Sequence, residues 1–599
     1  MCGFTGWYKK NHNKKDKKII KKMTNTLKYR GPDQKGYFID KNILLGHRRL
    51  SIIDPKNGKQ PYTYKGYTIV YNGEIYNVKD IKEKLKNYTF ETTCDTEVLL
   101  KGYIEYKEKI LDMIEGIYAF AIYKEDKIFL ARDRVGVKPL FYTLKNNNFI
   151  FASEIKAILK NKLISPIINK ESLQELLSLS PSRIPGSGVF KNIKELRPGH
   201  YMIYKNNKLT IKRYWNVLEE NIKDDYITAK NKIEKYLTDS IKRQMISDVD
   251  IACLLSGGLD SSIITAVVSK NRRKLDTYSI DYEDNDKYFK KTNFTVSQDK
   301  DYIKLMTNKF KTNHHYKVIT QRKLAKYLKE SVIARDLPGM ADIDSSLLWF
   351  SKQIRKKHKV ILSGECADEI FGGYPWFYRE EVKNREYFPW LDSIENRSKL
   401  LKKELQEKLK LKEFMKTQYE NILKEVPITK NNAEQQYKNL FYLNMTYFMP
   451  TLLERKDRMT MRGSIEARVP FADTKLIEYL WNLPWEYKYH NNQEKGILRD
   501  AYKRLLPEQI INRKKNPYPK THNPKYTNIV IKLLKKKLKN KNSILHKLFD
   551  EEKIKELIET KGESFETPWF GQLMTGPQLL AFLYQIDIWA TTYKIIVEI

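Results

Sequence analysis

VDIACLLSGGLDSSIITAVVSK, residues 249–270, decides the architecture of the larger part of this chain. The apolar run VDIACLL reads as a strand, SGGLDSS as a glycine-rich turn, and SIITAVVSK as the helix that follows. A turn built this way lets backbone N–H groups point at phosphate oxygens, and the helix N-terminus adds a favourable dipole. The lysine of the GxxxxGK[ST] phosphate loop is missing, so this is a different class of phosphate-binding turn.

Outward from that turn the rhythm repeats. LDTYSIDY (275–282) reads as a strand, 300–310 as a helix, HYKVI as a strand, then comes another helix, then the strand KVILSG (359–364). Such βαβ alternation predicts a parallel sheet with helices on both faces. Beyond about 400 the chain reads as mostly helical, with charged faces. Upstream the pattern differs. YTIVYNGEIYN (67–77), GIYAFAIY (116–123), KIFLARD (127–133), PLFYTL (139–144) and FIFASE (149–154) are rich in Tyr, Phe, Ile and Val, and KED and KNNN supply hairpin turns. Antiparallel sheets follow, with helices over 14–27 and 95–109 able to cover a sheet face. The expected fold is therefore an α+β sandwich of antiparallel sheets followed by an α/β parallel-sheet domain with a largely helical C-terminal part. The expected boundaries are 2–212 and 230–599, joined by a polar linker over 213–229 that includes NVLEENIKDDY. No internal repeat is visible, and 599 residues exceed what one core would organise.

The formal net charge of +38, from 111 Lys and Arg against 73 Asp and Glu, first suggests nucleic acid or an anionic surface. The excess is mostly lysine spread over the whole length, with many Asn, Ile and Tyr, and no recognition-helix, RRM or KH signature accompanies it. The densest run, KLLKKKLKNKN (533–543), reads as a solvated helix face, so no specific nucleic-acid partner is expected. Four cysteines, Cys2, Cys94, Cys253 and Cys366, show no CxxC pairing. That argues against a disulfide framework or zinc ribbon and for a reducing cytoplasm. No uncharged apolar stretch of membrane-spanning length and no basic-then-apolar leader is present, so no membrane association is expected. Oligomeric state is left open, a homodimer being admitted but not required.

Cys2 stands directly behind Met1 and ahead of the small Gly3. Methionine removal would leave a thiol and an α-amine on one residue, titrating near about 8.5 and about 8, so the amine could serve the thiol as base. Taken alone, a Met-Cys start is ordinary. Behind it, however, lie RGPD (30–33), RRLSIID (48–54), YNGEIYN (71–77) and CDTEV (94–98), in that order. Together these resemble the glutaminase domain of class II glutamine amidotransferases, the N-terminal-nucleophile group that opens with Cys-Gly. The resemblance implies Cys2 as nucleophile on the glutamine carboxamide, with Asn72 and Gly73 as oxyanion donors. It implies a glutamine site made of Arg49, Leu50, Ser51, Ile52, Ile53, Asn72, Gly73, Glu74 and Asp95. The chemistry agrees: a carboxylate wants the arginine fork, and an ammonium wants carboxylate acceptors. Arg30 and Asp33 read as a structural pair beneath the site. Tyr29, where the family usually has His, and Cys94, where a small polar residue is common, depart from the pattern. Cys94 reads as a packed neutral thiol.

SGGLDSS (256–262) resembles the pyrophosphate loop of ATP pyrophosphatases. With SGECADEIFGGY (363–374), RKDRMTMRGSIEARVPFAD (455–473) and QEKGILRD (493–500), it resembles the synthetase domain of glutamine-dependent asparagine synthetases. The resemblance covers residue 2 to about 525. It implies ATP contacts from Leu255, Ser256, Gly257, Gly258, Leu259, Asp260, Ser261, Ile280, Ser363, Gly364 and Lys495. Glu365 and Asp368 fall at the adenylate, Glu365 as a catalytic group, and Asp260 and Asp368 are the carboxylates for Mg²⁺. Arg455 and Arg468 read equally as contributors or as packing. Asp342 and Asp344 stand where some relatives carry an arginine that seats aspartate, and NRKKNPYPKTHNP (512–524) has no assigned role. The implied substrates are glutamine, aspartate and ATP; the implied chemistry is a Cys2 thioester, a β-aspartyl-AMP and ammonia passed between sites. The alternative is a relative amidating another carboxylate, in a peptide or cell-wall precursor.

Overall fold

The computed structural model describes residues 2–289, 297–383, 385–429 and 431–599. Among them, the front of the chain forms two six-stranded antiparallel sheets. The first centres on Cys2–Tyr8, paired on one side with Ile43–Arg49 and on the other with Asn148–Ala152. The second centres on Lys127–Arg132 and Gly116–Lys124, with Tyr67–Ile75 beyond them. Side chains alternate across a strand, so even-numbered residues of Cys2–Tyr8 and Tyr67–Ile75 share the inner faces. Phe4, Tyr8 and Val70 accordingly meet in the core between the sheets with Leu45, Ala121 and Leu130. The odd-numbered Ile69, Tyr71 and Ile75 face outward, under helix Asp95–Tyr106. Helix Lys14–Asn25 buries Ile20 and Met23 against the outer face of the other sheet. The layers therefore run helix, sheet, sheet, helix, as the α+β reading expects. The KNNN hairpin turns through Asn146 and Asn147, both at positive φ.

The second unit is built on five parallel strands in the order Asn313–Ile319, Asp276–Tyr282, Ile251–Leu254, Val360–Leu362, Glu466–Arg468. Strand order reverses between Ile251–Leu254 and Val360–Leu362. In open α/β sheets the crevice at such a reversal, beyond the carboxyl ends of the strands, is where ligands sit. SGGLDSS leaves one of these two strands and SGECADE leaves the other. The fold class expected from the sequence is the one observed.

Residues 214–225, within the stretch read as a polar linker, have no helix or strand but do not hang free. Val217 is buried, Trp215 Nε1 donates to Glu478, and Glu219 pairs with Lys438. Helix Met449–Arg462 carries part of the 455–473 motif, and its Arg455, Lys456, Asp457 and Arg458 are all buried where the two units meet. The ions compensate one another across the junction: Arg30 with Asp457 at 2.7 Å, Arg458 with Glu154 at 3.2 Å, and Arg183 with Glu454 at 3.1 Å. A parallel two-stranded pairing of Ile167–Ile168 with Ile596–Val597 ties the chain's last residues back to its first half.

Candidate active sites

The first site lies at the open end of the sandwich. Cys2, Arg49, Asn72 and Glu74 all fall on inner-face positions, and Cys2 is in register with Arg49. Cys2 N donates to Asn72 Oδ1 at 3.0 Å, and Arg30 Nε donates to the Cys2 carbonyl at 2.9 Å. The other end of the Asn72 amide, Nδ2, is buried with no hydrogen-bond partner among the described residues. An orphan buried donor beside a thiol suits a developing oxyanion. A Cβ on Gly73 would come within 2.2 Å of the Ile117 carbonyl oxygen, so only glycine fits that strand crossing. Burial pushes the Cys2 thiol up, while Arg49 and the Leu50 N–H favour its thiolate.

Arg49 is held on the loop beneath it. Its Nη1 donates to Gln34 Oε1 at 3.0 Å and Pro55 O at 3.2 Å; its Nη2 donates to the carbonyls of Ile53 and Asp54, each at 2.7 Å. Ser51 N is taken by Asp33 at 2.9 Å. Asp95 accepts from Tyr71 OH at 2.8 Å and Ile75 N at 3.0 Å. Burial, then Asp95, push Glu74 far above the usual carboxylate range, against Arg468 at 3.3 Å. Arg468 is shared with a third buried carboxylate, Glu466 at 2.5 Å, which also raises Glu74. Cys94 is a packed thiol as expected, pushed up by burial and then by Asp95.

Arg30 and Asp33 are not a pair. Gly31 passes the Arg48 backbone so tightly that a Cβ there would lie 2.2 Å from its carbonyl carbon, and the two charged residues leave the turn for different partners. Arg30 goes to Asp457, Glu154 and the Cys2 carbonyl; Asp33 goes to Ser51 N and to Lys359 at 2.7 Å. Each reaches across to the second unit instead. Tyr29 does so too, its carbonyl accepting from Ser464 Oγ at 2.7 Å.

The second site is a cavity of about 240 Å³ at the strand-order reversal. Of the residues expected around ATP, Leu255, Ser256, Gly258, Asp260, Ser261, Ile280, Ser363 and Gly364 line it, as do Glu365 and Asp368. Gly257 and Leu259 do not. Gly257 sits at φ +70°, where a Cβ would come within 2.5 Å of the Tyr302 Cβ, and Leu259 turns into the core. Lys495 stands behind the wall, its Nζ 2.7 Å from Asp260 and 2.5 Å from Asp368. Burial raises Asp260. It would raise Asp368 too, but Lys495 and then Lys515 outweigh it and hold that carboxyl down to about 2. Glu365 bonds Lys456 at 2.9 Å, and against burial Lys456 and Arg455 keep it below the usual range.

Arg455 lines the cavity, its Nη2 buried without a hydrogen-bond partner among the described residues and its guanidinium 4.5 Å from the Tyr518 ring centre. Asp344 lies 3.6 Å from Arg455 Nε and accepts from Met340 N, while Asp342 accepts from Gln578. Neither aspartate lines the cavity; Asp344 orients its neighbour Arg455. Arg468 lies outside the cavity as well, yet its carbonyl accepts from Ser363 N at 2.9 Å. Sequence reasoning missed Lys456, Arg513 and Lys515; the last two sit in the unassigned segment 512–524. Among the described residues no group of three or more His, Cys, Asp or Glu could hold a metal, and no helix is long and apolar enough to cross a membrane.

A glutamine amidotransferase domain model matches residues 1–215, and an asparagine synthase model matches 232–591. The chain is 49% identical to glutamine-hydrolysing asparagine synthetase 3 of Bacillus subtilis, over 100% of both chains. It is 31% identical to asparagine synthetase 1 of the same organism, over 87% of each. It is 26% identical to asparagine synthetase B of Escherichia coli, over 83% of this chain and 78% of that one. Sites, sheets and relatives agree: this chain belongs to the asparagine synthase family, with a glutamine amidotransferase domain at its front.

Proposed function

We propose that this protein makes asparagine from aspartate, glutamine, ATP and water, releasing glutamate, AMP and pyrophosphate. In this reading residues 2–212 are the glutaminase and 230–599 the synthetase, joined through 213–229. Once Cys2 is the first residue, its α-amine, held by Asn72 Oδ1, takes the thiol proton. The sulfur attacks the glutamine carboxamide, Asn72 Nδ2 and Gly73 N–H receive the oxyanion, and a thioester forms as ammonia leaves. Arg49 and the backbone of Leu50, Ser51, Ile52 and Ile53 seat the ligand carboxylate; Glu74 and Asp95 receive its ammonium. In the second cavity the Ser256–Ser261 turn, with Ser363 and Gly364, holds the triphosphate, and Leu255 and Ile280 flank the nucleotide. Arg455 Nη2 takes an acceptor carboxylate beside Glu365.

Asp260 and Asp368 fit a hard cation in part: two carboxylates on adjoining loops, already gathered around one ammonium, with the remaining oxygens to come from the ligand's own phosphates. Mg²⁺ there would supply charge neutralisation on the phosphates. Lys495 fixes the two carboxylates and contributes charge on the same side.

The observation that carries the joint reading is Arg468. Its side chain pairs with Glu74 of the first site while its carbonyl accepts from Ser363 N of the second. Ammonia in bulk water near neutrality is mostly protonated and a poor nucleophile, which favours internal delivery between such neighbours. Aspartate-dependent exchange of labelled pyrophosphate into ATP tests the acceptor. Exchange only with another carboxylate would make the protein a relative with a different product. Cys2→Ala should lose glutamine use and keep ammonia use; loss of both would break the two-site division. A reducing cytoplasm would keep the Cys2 thiol usable.

A further inference from the structure

We infer that Gln572, on a loop in the last part of the chain, selects the acceptor in the synthetase cavity by holding the ammonium of a free acidic amino acid; this rests on reading that cavity as the place where a carboxylate is activated. The loop is closed at its base, where Trp569 N donates to Met574 O at 2.8 Å and Gly571 N donates to Trp390 O at 2.9 Å. Trp569, Phe570 and Met574 are buried, and Thr575 behind them caps helix Gly576–Tyr593. Residues 570–573 become cavity wall. Phe570 stacks on Phe448 with ring centres 5.4 Å apart, and Phe448, Leu452 and Arg455, four and three positions apart on helical chain, line the cavity as one stripe. The loop therefore adjoins the wall that carries the Arg455 fork.

Elimination decides what Gln572 does there. An acidic amino acid brings two carboxylates and one ammonium. One carboxylate must face the α-phosphorus and the other goes to Arg455 Nη2, so the ammonium arrives beside Arg455 in need of an acceptor. Among the described residues, every carboxylate lining the cavity is already engaged. Asp260 and Asp368 share Lys495 at 2.7 and 2.5 Å, Asp299 lies 2.5 Å from Arg513, and Glu365 bonds Lys456 at 2.9 Å. Burial, then Asp368, raise Glu369 to about 8, and it accepts from Tyr374 OH at 2.6 Å; neutral near pH 7, it is a poor partner for a cation. The half-buried Gln572 lines the same cavity, and its carboxamide has no hydrogen-bond partner among the described residues. Its Oε1 can accept from an ammonium without adding negative charge beside Glu365, while its Nε2 can donate to the carboxylate on the same carbon. The loop thus prefers an acceptor with a free α-amine over one whose amine is missing or lies within a peptide bond.

The test uses the full chain and aspartate-dependent exchange of labelled pyrophosphate into ATP, with succinate, which is aspartate without its amine, as competing ligand. Gln572→Met, nearly the same size, should raise the aspartate concentration for half-maximal exchange about tenfold or more, while inhibition by succinate stays within about twofold of wild type. The ATP requirement and glutamine hydrolysis should not change. Gln572→Glu keeps an acceptor and drops the donor, so it should hold aspartate within about threefold of wild type and weaken succinate about tenfold or more; it carries the test should the methionine variant not fold. Equal losses for aspartate and succinate in either variant, or an unchanged aspartate requirement in Gln572→Met, overturn the inference alone. Parallel loss of glutamine hydrolysis in both variants overturns it in favour of a structural role. Wild-type exchange that aspartate does not support overturns the reading of the acceptor and the inference with it.

Discussion

Asn72→Ala is the most direct probe of the first site. The wild-type amide has one end committed, with Oδ1 accepting from Cys2 N at 3.0 Å, and one end open, the buried Nδ2. Truncation removes both. Losing an oxyanion donor in a preorganised site costs about 3 kcal/mol, which is a fall of roughly 10²–10³ in kcat for glutamine hydrolysis. Losing the Oδ1 contact leaves the Cys2 amine without its acceptor and adds about 1 kcal/mol, within the range for a buried hydrogen bond. KM for glutamine should change little, because Arg49 and Asp95 are untouched. The assay is glutamate release, run beside ammonia-dependent asparagine formation on the same preparation. Ammonia-dependent turnover should stay within about twofold, since the second cavity uses no atom of Asn72. Asn72→Asp sharpens the comparison: it keeps an acceptor for Cys2 N and puts a carboxylate where the oxyanion would form, so it should be at least as slow. Glutamine hydrolysis by Asn72→Ala within about threefold of wild type would refute the oxyanion assignment.

Arg468→Lys should lower glutamine-dependent synthesis by about tenfold while ammonia-dependent synthesis changes less. One ammonium cannot hold Glu74 at 3.3 Å and the carbonyls of Gln244 and Ile246 at 2.7 and 2.5 Å as the guanidinium does. Equal falls in both activities would make Arg468 merely structural. Glu369 gives a pH signature. Burial, then Asp368, raise its carboxyl to about 8, with Tyr374 OH bonded to it at 2.6 Å. Its unfolded value is about 4.3, so its contribution is fully present below that pH and is lost as pH rises through about 8. Glu369→Gln, permanently neutral, should therefore gain thermal midpoint on wild type as pH rises from 5 to 8 and level off above. A difference flat with pH would contradict the assignment.

What the sequence disclosed was local chemistry. SGGLDSS and SGECADE could each be read as loops leaving buried strands, because glycine turns and apolar runs leave their mark within a dozen residues. YTIVYNGEIYN could likewise be read as a strand, which the structure shows as Tyr67–Ile75. Long-range compensation was hidden. RGPD placed two opposite charges three positions apart, which suggested a pair; the tight passage at Gly31 separates them, and only the tertiary fold reveals Asp457 and Lys359 as their partners.

Helix Met449–Arg462 makes the same point with larger consequences. A run of Glu, Arg, Lys, Asp and Arg looks solvated because burying one such ion uncompensated costs several kcal/mol. Here Glu154, Glu365, Arg30 and Arg183, each from a distant part of the chain, supply the opposite charges. Lys456 meets Glu365 on the cavity side, while Asp457 meets Arg30, which also bonds the carbonyl of Cys2. Consecutive residues of one rigid helix thus touch the adenylate loop and the nucleophile's own backbone. The burial of Glu454, Asp457 and Arg458 is compensated in full only when both units are folded and docked, so the two sites are held in place by the same helix.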